Sequence, residues 1–194
     1  MDTKREIVLA MKEVFAEKGY MASMSDISKI VGIKVPSIYS HYQSKDEIIY
    51  LCIHDEIETF TQYYRSNLRR TQEESVEFSL KHLFFSYIEY FKDLNKLRFW
   101  NNFDLIPNLE LRHTSLEAYK KYMLKLQEEI KALFLLGIEK GEIKSDLNTE
   151  AYLMYIVTIQ GVLRGMLKFE GFENPTDHYY AKIWEMYWET VKTY

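Results

Sequence analysis

The apolar positions at the start of the chain recur with the period of an α-helix. On the first helix they form one face, consisting of Ile7, Val8, Met11, Val14 and Phe15. A second, short helix carries Ile27 and Val31, and Gly32 follows it where a tight turn needs a positive φ. Pro36 then opens a third short helix, because proline suits the first helical turn. The pattern predicts two short helices joined by a tight turn and braced by a longer helix before them.

Capping boxes mark several helix starts, since a Ser or Thr followed three residues later by an acidic residue can close the first turn of a helix. They occur at Thr3/Glu6, Ser23/Asp26, Ser44/Glu47 and Thr71/Glu74. The last two predict a long helix over 45–70 and a helix over 71–91. Apolar periodicity predicts the remaining helices over 94–105, from Thr114 to Gly137 or Gly141, over 149–169, and from Thr176 or Asp177 to the C-terminus. The chain is therefore expected to be all-α, with about nine helices and no strand.

The composition is that of a helical globular protein and limits the possible chemistry. Only 7 Gly and 3 Pro occur among 194 residues, which favours long helices over a many-turned β fold. The single cysteine, Cys52, excludes an intramolecular disulfide and a Cys-based metal site, as expected of a protein in the reducing cytoplasm. The N-terminus has no signal-peptide pattern and no apolar run is long enough to span a membrane, so no membrane role is expected.

The net charge of −4 argues only weakly against nucleic-acid binding, because the charge is unevenly distributed. Residues 1–46 carry seven Lys or Arg and six Asp or Glu, a net charge of +1, whereas the rest of the chain carries −5. The N-terminal region has no strongly basic tail. Any affinity for DNA must therefore come from individually placed contacts and from dimerisation.

Two short helices joined by a tight turn can place the second helix in the major groove of DNA. The residues around this turn are more specific: Phe15-Ala16-Glu17-Lys18-Gly19-Tyr20, Asp26-Ile27, Val31-Gly32-Ile33, Ile38-Tyr39-x-His41-Tyr42 and Ser44-Lys45. With them, residues 5–50 resemble the N-terminal signature of the tetracycline-repressor (TetR) family of bacterial regulators. Further along, the segments GIEKGEIKSDL and TIQGVLRG are similar to the family's helix 7–8 junction and dimer helix.

The resemblance implies a division of the chain into functional parts. Residues 1–46 would form the helix-turn-helix DNA-binding domain, with the motif itself at about 23–42. Helix 4 (45–70) would connect it to a ligand-binding and dimerisation domain over 71–194. Three features depart from the family pattern: a loop between Gly19 and Asp26 that is about one residue shorter, Ser28 in place of a packing alanine, and Lys34-Val35-Pro36 in place of a Ser-Lys-Gly-like start of the recognition helix.

The resemblance also assigns DNA contacts to residues of the motif. Contacts to phosphates, which carry no sequence code, are expected from Ser23, Ser25, Lys34, Tyr39, His41 and Lys45. Base contacts are expected from Val35, Pro36, Ser37 and Ser40. Val and Pro side chains suit thymine methyl groups and serines can serve several bases, and no Arg occurs in residues 6–64. An AT-containing half-site is therefore predicted.

The last two predicted helices carry few polar residues for helices in contact with solvent. In the family they pair with their counterparts in a second copy, so a homodimer with two-fold symmetry would match a palindromic operator in double-stranded DNA. The expected interface residues are Ile156, Gln160, Gly161, Arg164, Trp184, Tyr187 and Trp188. The alternative is that these side chains form the core of a single subunit.

Aromatic residues recur on the middle helices, in the region that encloses a small-molecule pocket in TetR-like proteins. The expected ligand-binding residues are Tyr87, Phe91, Trp100, Phe103, Tyr119, Tyr122 and Met123. Several aromatic side chains together suit an apolar or aromatic ligand, and by resemblance its binding would move helix 4. The same spacing is equally typical of an ordinary helical core.

Enzyme chemistry has little support in the sequence. It contains no catalytic or phosphate-binding motif, and no cofactor is expected. The segment His54-Asp55-Glu56-x-Glu58 is more typical of a solvated helix face than of a metal site. The leading hypothesis is a transcription repressor that a small ligand releases from its operator. The alternatives are a TetR-like DNA-binding protein that is controlled by a protein partner or acts as an activator, and a helical interaction module or enzyme that has lost DNA binding.

Overall fold

The computed structural model of the protein describes residues 2–71, 74–168 and 176–193. Within these ranges the chain forms nine α-helices and no β-strand, apart from an isolated bridge between Ile143 and Lys192. The helices are α1 (Thr3–Lys18), α2 (Met24–Val31), α3 (Val35–Tyr39), α4 (Lys45–Arg69), α5 (Val76–Phe91), α6 (Leu94–Asp104), α7 (Leu109–Glu139), α8 (Asn148–Lys168) and α9 (Asp177–Val191), with short 3-10 helices at Gly19–Met21 and Ser145–Leu147. The expected all-α fold is confirmed. None of the described helices has the length and apolarity needed to cross a membrane.

Some helix starts follow the predicted capping boxes and others do not. The box at α2 is complete, because the side chains of Ser23 and Asp26 each accept from the backbone N–H of the other residue. α1 is capped by Asp2, just before the predicted position. α5 is capped by Ser75 instead of Thr71, because the side chain of Ser75 accepts a hydrogen bond from the backbone N–H of Phe78.

α7 is longer than predicted because Asn108 starts it before Thr114. The Oδ1 of Asn108 accepts hydrogen bonds from the backbone N–H groups of Glu110 (3.0 Å) and Leu111 (3.1 Å). Thr114 therefore lies inside the helix, where its hydroxyl donates to the backbone oxygen of Glu110 at 3.0 Å. The predicted end of the helix over 149–169 lies outside the described residues.

The chain divides into two compact units rather than at one point along the sequence. Unit 1 consists of Met1–Phe60 and Asp93–Met123, and unit 2 consists of Thr61–Lys92 and Leu124–Tyr194. Unit 1 therefore includes α6 and the start of α7, because α6 packs closely against α1. The boundaries predicted near residues 46 and 71 do not coincide with those of the compact units.

The core of unit 1 supports the helix-turn-helix. Ile38 of α3 is fully buried, as is Phe15 of α1. α6 contributes Phe99, whose ring meets that of Phe15 edge-on with 5.1 Å between centroids. The Nδ2 of Asn102, also on α6, donates to the backbone oxygens of Phe15 (2.9 Å) and Ala16 (3.0 Å). Asn102 thus caps the C-terminal turn of α1 from a neighbouring helix.

The core of unit 2 is aromatic and includes one face of α9. Trp184 is 1% exposed, and its ring lies 5.7 Å from those of Phe84 and Trp188. Tyr187 is buried beside them, and its hydroxyl donates to the backbone oxygen of Ala151 at 3.0 Å. The prediction that Trp184, Tyr187 and Trp188 form a dimer interface is therefore corrected. These side chains fill the subunit's own core, because the face that carries them packs against α5 and α8.

Gly19→Ala is expected to lower the free energy of unfolding by about 2 kcal/mol, of which roughly half comes from a backbone conformation that alanine disfavours. Gly19 has a φ of +57°, and a Cβ there would lie 3.1 Å from Cγ and Oδ1 of Asn102, whose amide caps α1. Gly32→Ala is the comparison, because Gly32 has a φ of +74° and a ψ of 24°, the left-handed helical region, and no described non-local atom lies within 4 Å of its Cβ position. Gly19 has a ψ of −140°, which is close to a region nearly restricted to glycine. Chemical denaturation should show the smaller loss for Gly32→Ala, and equal losses would contradict an added cost of backbone conformation and Asn102 contact at Gly19.

Candidate nucleic-acid interface

α3 presents a polar side to solvent because its apolar side is anchored. Ile38 is fully buried, and the hydroxyl of the buried Tyr42 donates to the backbone oxygen of Lys4 at 2.9 Å. The exposed side chains of this segment are those of Pro36, Ser37, Tyr39 and Ser40, whereas Val35 and His41 are half-buried. The residues predicted to contact DNA from this helix therefore share one surface.

The side chains near α2 that are predicted to contact phosphates differ in whether they are already engaged in hydrogen bonds within the protein. The hydroxyl of Ser23 donates to Oδ2 of Asp26 at 2.6 Å, so its proton is used inside the capping box. Hydrogen bonds from Lys18 and then Ser23 lower the pKa of Asp26 to about 2 and keep this carboxylate charged. Ser25 is exposed, and so is Lys34, which precedes α3 without a side-chain cap hydrogen bond. Ser25 and Lys34 can therefore reach a phosphate without breaking a described side-chain hydrogen bond.

Lys45 is held against the protein rather than extended into solvent. Its Nζ donates to the backbone oxygen of Tyr20 at 2.7 Å and lies 4.1 Å from the centre of the Tyr20 ring, which is a cation–π contact. The hydroxyl of Tyr20 in turn donates to Asp46 at 3.3 Å. Because an ammonium group has three donors, Lys45 can keep this bond and still meet a phosphate. In this structure it joins the turn after α1 to the start of α4.

Two asparagines outside the predicted site connect other helices of unit 1 to the motif. The Nδ2 of Asn108 donates to Oδ2 of Asp46, at the start of α4, at 2.8 Å. Asn102 caps α1 as described above. Asn108 is 62 residues from Asp46, and Asn102 is 87 residues from Phe15. No local sequence pattern marks such contacts, so sequence reasoning missed them.

Three of the predicted ligand-binding residues meet in unit 1. The ring of Trp100 lies 5.9 Å from that of Phe103 and 5.7 Å from that of Tyr119. Phe60 adds another ring, 5.8 Å from Trp100. The Nε1 of Trp100 is buried, and no described atom accepts a hydrogen bond from it. Burial, and then the nearby Asp104, raises the pKa of the Tyr119 hydroxyl, so this cluster is an apolar environment with an unused donor.

The other predicted ligand-binding residues have different partners. The hydroxyl of Tyr122 and Nε2 of His54 form a hydrogen bond of 3.2 Å in unit 1, and Met123 is buried. In unit 2, the ring of Tyr87 lies 4.8 Å from that of Phe91. Five of the seven predicted residues thus belong to unit 1, and Tyr87 and Phe91 belong to unit 2.

The acidic segment of α4 is engaged in ion pairs with α1. Arg5 lies 2.6 Å from Asp55, and Lys12 pairs with both Asp55 and Glu56. Burial raises the pKa of the Cys52 thiol and so keeps it protonated and unreactive. Among the described residues, no three His, Cys, Asp or Glu side chains are grouped so as to hold a metal ion. These acidic side chains hold two helices together.

α8 and α9 expose an apolar surface that the core of unit 2 does not cover. The predicted interface residues on α8 are placed as follows: Gln160, Gly161 and Arg164 are exposed, and Ile156 is half-buried. Leu153 and Val157, which are 52% and 68% exposed, extend this surface along α8. A groove of about 230 Å³ is lined by residues of both helices, including Gly161, Gly165, Tyr179 and Ile183.

Comparisons with known proteins agree with this arrangement. Residues 7–50 match the model of the family described as bacterial regulatory proteins, tetR family. The chain is 26% identical over 110 residues to the HTH-type transcriptional activator FasR of Mycolicibacterium smegmatis, covering 56% of this chain and 50% of that protein. It is 26% identical over 149 residues to the fatty acid metabolism regulator protein of Bacillus subtilis, covering 74% of this chain and 72% of that protein. The chain thus spans about half the length of the first of these relatives.

A solved structure shares the fold of the chain. It is that of the transcriptional regulator FadR from Bacillus subtilis in complex with stearoyl-CoA, with a TM-score of 0.73 and 20% identity over 94% of this chain and 96% of that chain. The family match at residues 7–50 includes α2, α3 and the start of α4. Residues 7–50 are therefore similar to the tetR family of bacterial regulatory proteins, and the chain as a whole shares the fold of the FadR regulator.

Proposed function

We propose that this protein is a homodimeric transcription repressor that binds a palindromic operator and leaves it when a ligand with a long apolar chain binds. The observation that carries the DNA-binding part is the exposed polar side of α3, which Ile38 and Tyr42 anchor from behind within the matched family domain. A short helix supported in this way suits insertion into the major groove.

The proposed DNA contacts divide by their chemistry. Phosphate contacts are proposed for Ser25, Lys34, Tyr39, His41 and Lys45, with Ser23 acting mainly as the cap of α2. Base contacts are proposed for Val35, Pro36, Ser37 and Ser40. The exposure of Lys34 and of Tyr39, which is 51% exposed, supports this division. Phosphate contacts would set the position of α3, and the base contacts would select the sequence.

The proposed dimer uses the exposed face of α8 and α9. Val157 of α8 is 68% exposed and Met186 of α9 is 72% exposed, although both are apolar. Exposed apolar patches of this kind are typical of protein interfaces. No described non-local atom lies within 4 Å of a Cβ built on Gly161 or Gly165, which leaves room for the close approach of a second copy. A two-fold dimer would present two copies of α3 to a palindrome.

The proposed ligand class rests on two observations. One structural relative, FadR from Bacillus subtilis, is in complex with stearoyl-CoA. In the present chain, Trp100 lies among the rings of Phe60, Phe103 and Tyr119. Its Nε1 is buried, and no described atom accepts a hydrogen bond from it. Because a buried Trp donor normally has a partner, an acceptor atom of the ligand is proposed to take this position. Long-chain acyl thioesters combine such an acceptor with an apolar chain.

An activator is the second candidate, because one relative of the chain is named a transcriptional activator. The two candidates share the DNA interface and differ in the effect of binding on transcription. In an in vitro transcription assay on the operator-bearing promoter, a repressor lowers the yield of transcript and an activator raises it.

Genomic fragments selected by the purified protein should share a palindrome, which then serves as the binding probe. In fluorescence anisotropy, Lys34→Ala should weaken binding and lower the slope of log affinity against log salt by about 1, because one phosphate contact is lost. Lys140→Ala, at an exposed lysine of unit 2, is the control and should change neither quantity. The absence of any enriched sequence at moderate salt would contradict the proposed function.

Stearoyl-CoA should release the protein from this operator. Trp100→Phe keeps an aromatic ring but removes the donor, so about tenfold more ligand should be needed for release while operator affinity without ligand stays unchanged. The control is Trp188→Phe, which makes the same substitution in the core of unit 2 and should release normally. If stearoyl-CoA has no effect on the wild-type complex, the proposed ligand class is wrong. If it tightens DNA binding, ligand-driven release is wrong.

Val157→Lys should convert the dimer into a monomer of 23.3 kDa and weaken operator binding, because it places unpaired charges in an apolar interface. Leu135→Lys is the matched control, since Leu135 is 55% exposed but lies on α7, outside the proposed face. Light scattering at micromolar concentration measures the mass. A wild-type monomer, or dissociation by both substitutions alike, would contradict this interface.

A further inference from the structure

Two side chains of α3 point most directly away from the core. Successive residues of an α-helix are about 100° apart, so the direction opposite the buried Ile38 falls between Pro36 and Ser40. Tyr39 and Ser37 flank this pair, one on each side. The exposure of all four side chains agrees with this geometry. A base edge placed against the middle of the helix would therefore meet Pro36 and Ser40 first.

The hydroxyl proton of Ser40 is already engaged. It is donated to the backbone oxygen of Ser37 at 2.7 Å. Ser40 follows α3 with helical backbone angles, φ −73° and ψ −18°, so this bond closes the last turn. A hydroxyl has one proton to donate and two lone pairs with which to accept. The exposed side of Ser40 is therefore a hydrogen-bond acceptor, and the neighbouring Pro36 has no polar side-chain atom.

We propose that Ser40 is a specificity-determining residue that selects an amino group in the major groove, either N6 of adenine or N4 of cytosine. This inference rests on the proposed DNA-binding function of α3. These amino groups are the donors that base edges present in the major groove, whereas guanine presents the acceptors N7 and O6 and thymine the acceptor O4. A guanine in this position would place its acceptors against the lone pairs of Ser40.

The discrimination follows from the number of hydrogen bonds in each complex. When it binds an amino group, Ser40 keeps its bond to Ser37 and gains another. To donate to guanine, Ser40 must first give up the bond to Ser37, so the total does not increase. One hydrogen bond of this kind corresponds to about a three- to tenfold difference in affinity. One position of each half-site should therefore favour adenine or cytosine.

Selection from random DNA by the wild-type protein and by Ser40→Ala tests this inference. The wild type should enrich adenine or cytosine at one position of each half-site, and Ser40→Ala should lose that preference while keeping the others. Ser66→Ala is the matched control, because the Ser66 hydroxyl donates to the backbone oxygen of Tyr63 at the same 2.7 Å, on α4 outside the motif. Ser40→Thr retains a hydroxyl and should retain the preference.

A second measurement isolates the amino group. The selected base is replaced by an analogue that lacks it, an unsubstituted purine or a pyrimidinone, and affinities are compared for wild type and Ser40→Ala. The wild type should lose about three- to tenfold more affinity than Ser40→Ala, whose loss reports the weakened base pair alone.

Two results would overturn the inference. One is that Ser40→Ala selects the wild-type sequence, which would mean that Ser40 only closes α3. The other is equal loss of affinity for both proteins on the analogue DNA. A wild-type protein that selects no sequence at all would instead contradict the proposed DNA-binding function.

Discussion

A helix of five residues does not hold its own conformation in water, because forming the first turn costs more conformational entropy than so few hydrogen bonds offset. α3 therefore depends on the structure behind it. Ile38 is buried in the core of unit 1, and Tyr42 reaches the backbone oxygen of Lys4 at the start of α1. The polar face that α3 presents to solvent is a consequence of burying the opposite face. The hydroxyl oxygen of Ser40 faces solvent for the same reason, because Ser40 lies opposite the buried Ile38.

The rest of unit 1 supports α3 through contacts between helix ends. Asn102 of α6 caps the last turn of α1, and Asn108 holds Asp46 at the start of α4. Side chains of α1 and α4 form one core with those of the motif. Trp100, with its unused donor, lies on α6 close to Asn102. A ligand that displaced α6 would thus act on the helices behind α3 without contacting α3 itself.

The apolar spacing on α9 shows what helical periodicity can establish and what it cannot. It correctly identifies Trp184, Tyr187 and Trp188 as one face of a helix, but a core and a partner subunit can cover such a face equally well. Burial against α5 and α8 decides for the core. The apolar side chains left exposed lie elsewhere on the helix, at Tyr179 and Met186. These two carry no distinctive sequence signal, because isolated surface apolar residues are common.

The sequence by itself determined what depends on residues a few positions apart. The all-α fold, the capping box of Ser23 and Asp26, the turn at Gly32 and the exposed side of α3 all follow from helix period and turn conformation, which local sequence specifies directly. The tertiary structure alone decided that Lys45 lies on Tyr20, that α6 packs with the motif, and that the aromatic residues divide between two units. The physical reason is that each of these contacts joins groups far apart in the chain, and a side chain's own neighbours do not specify its distant partner.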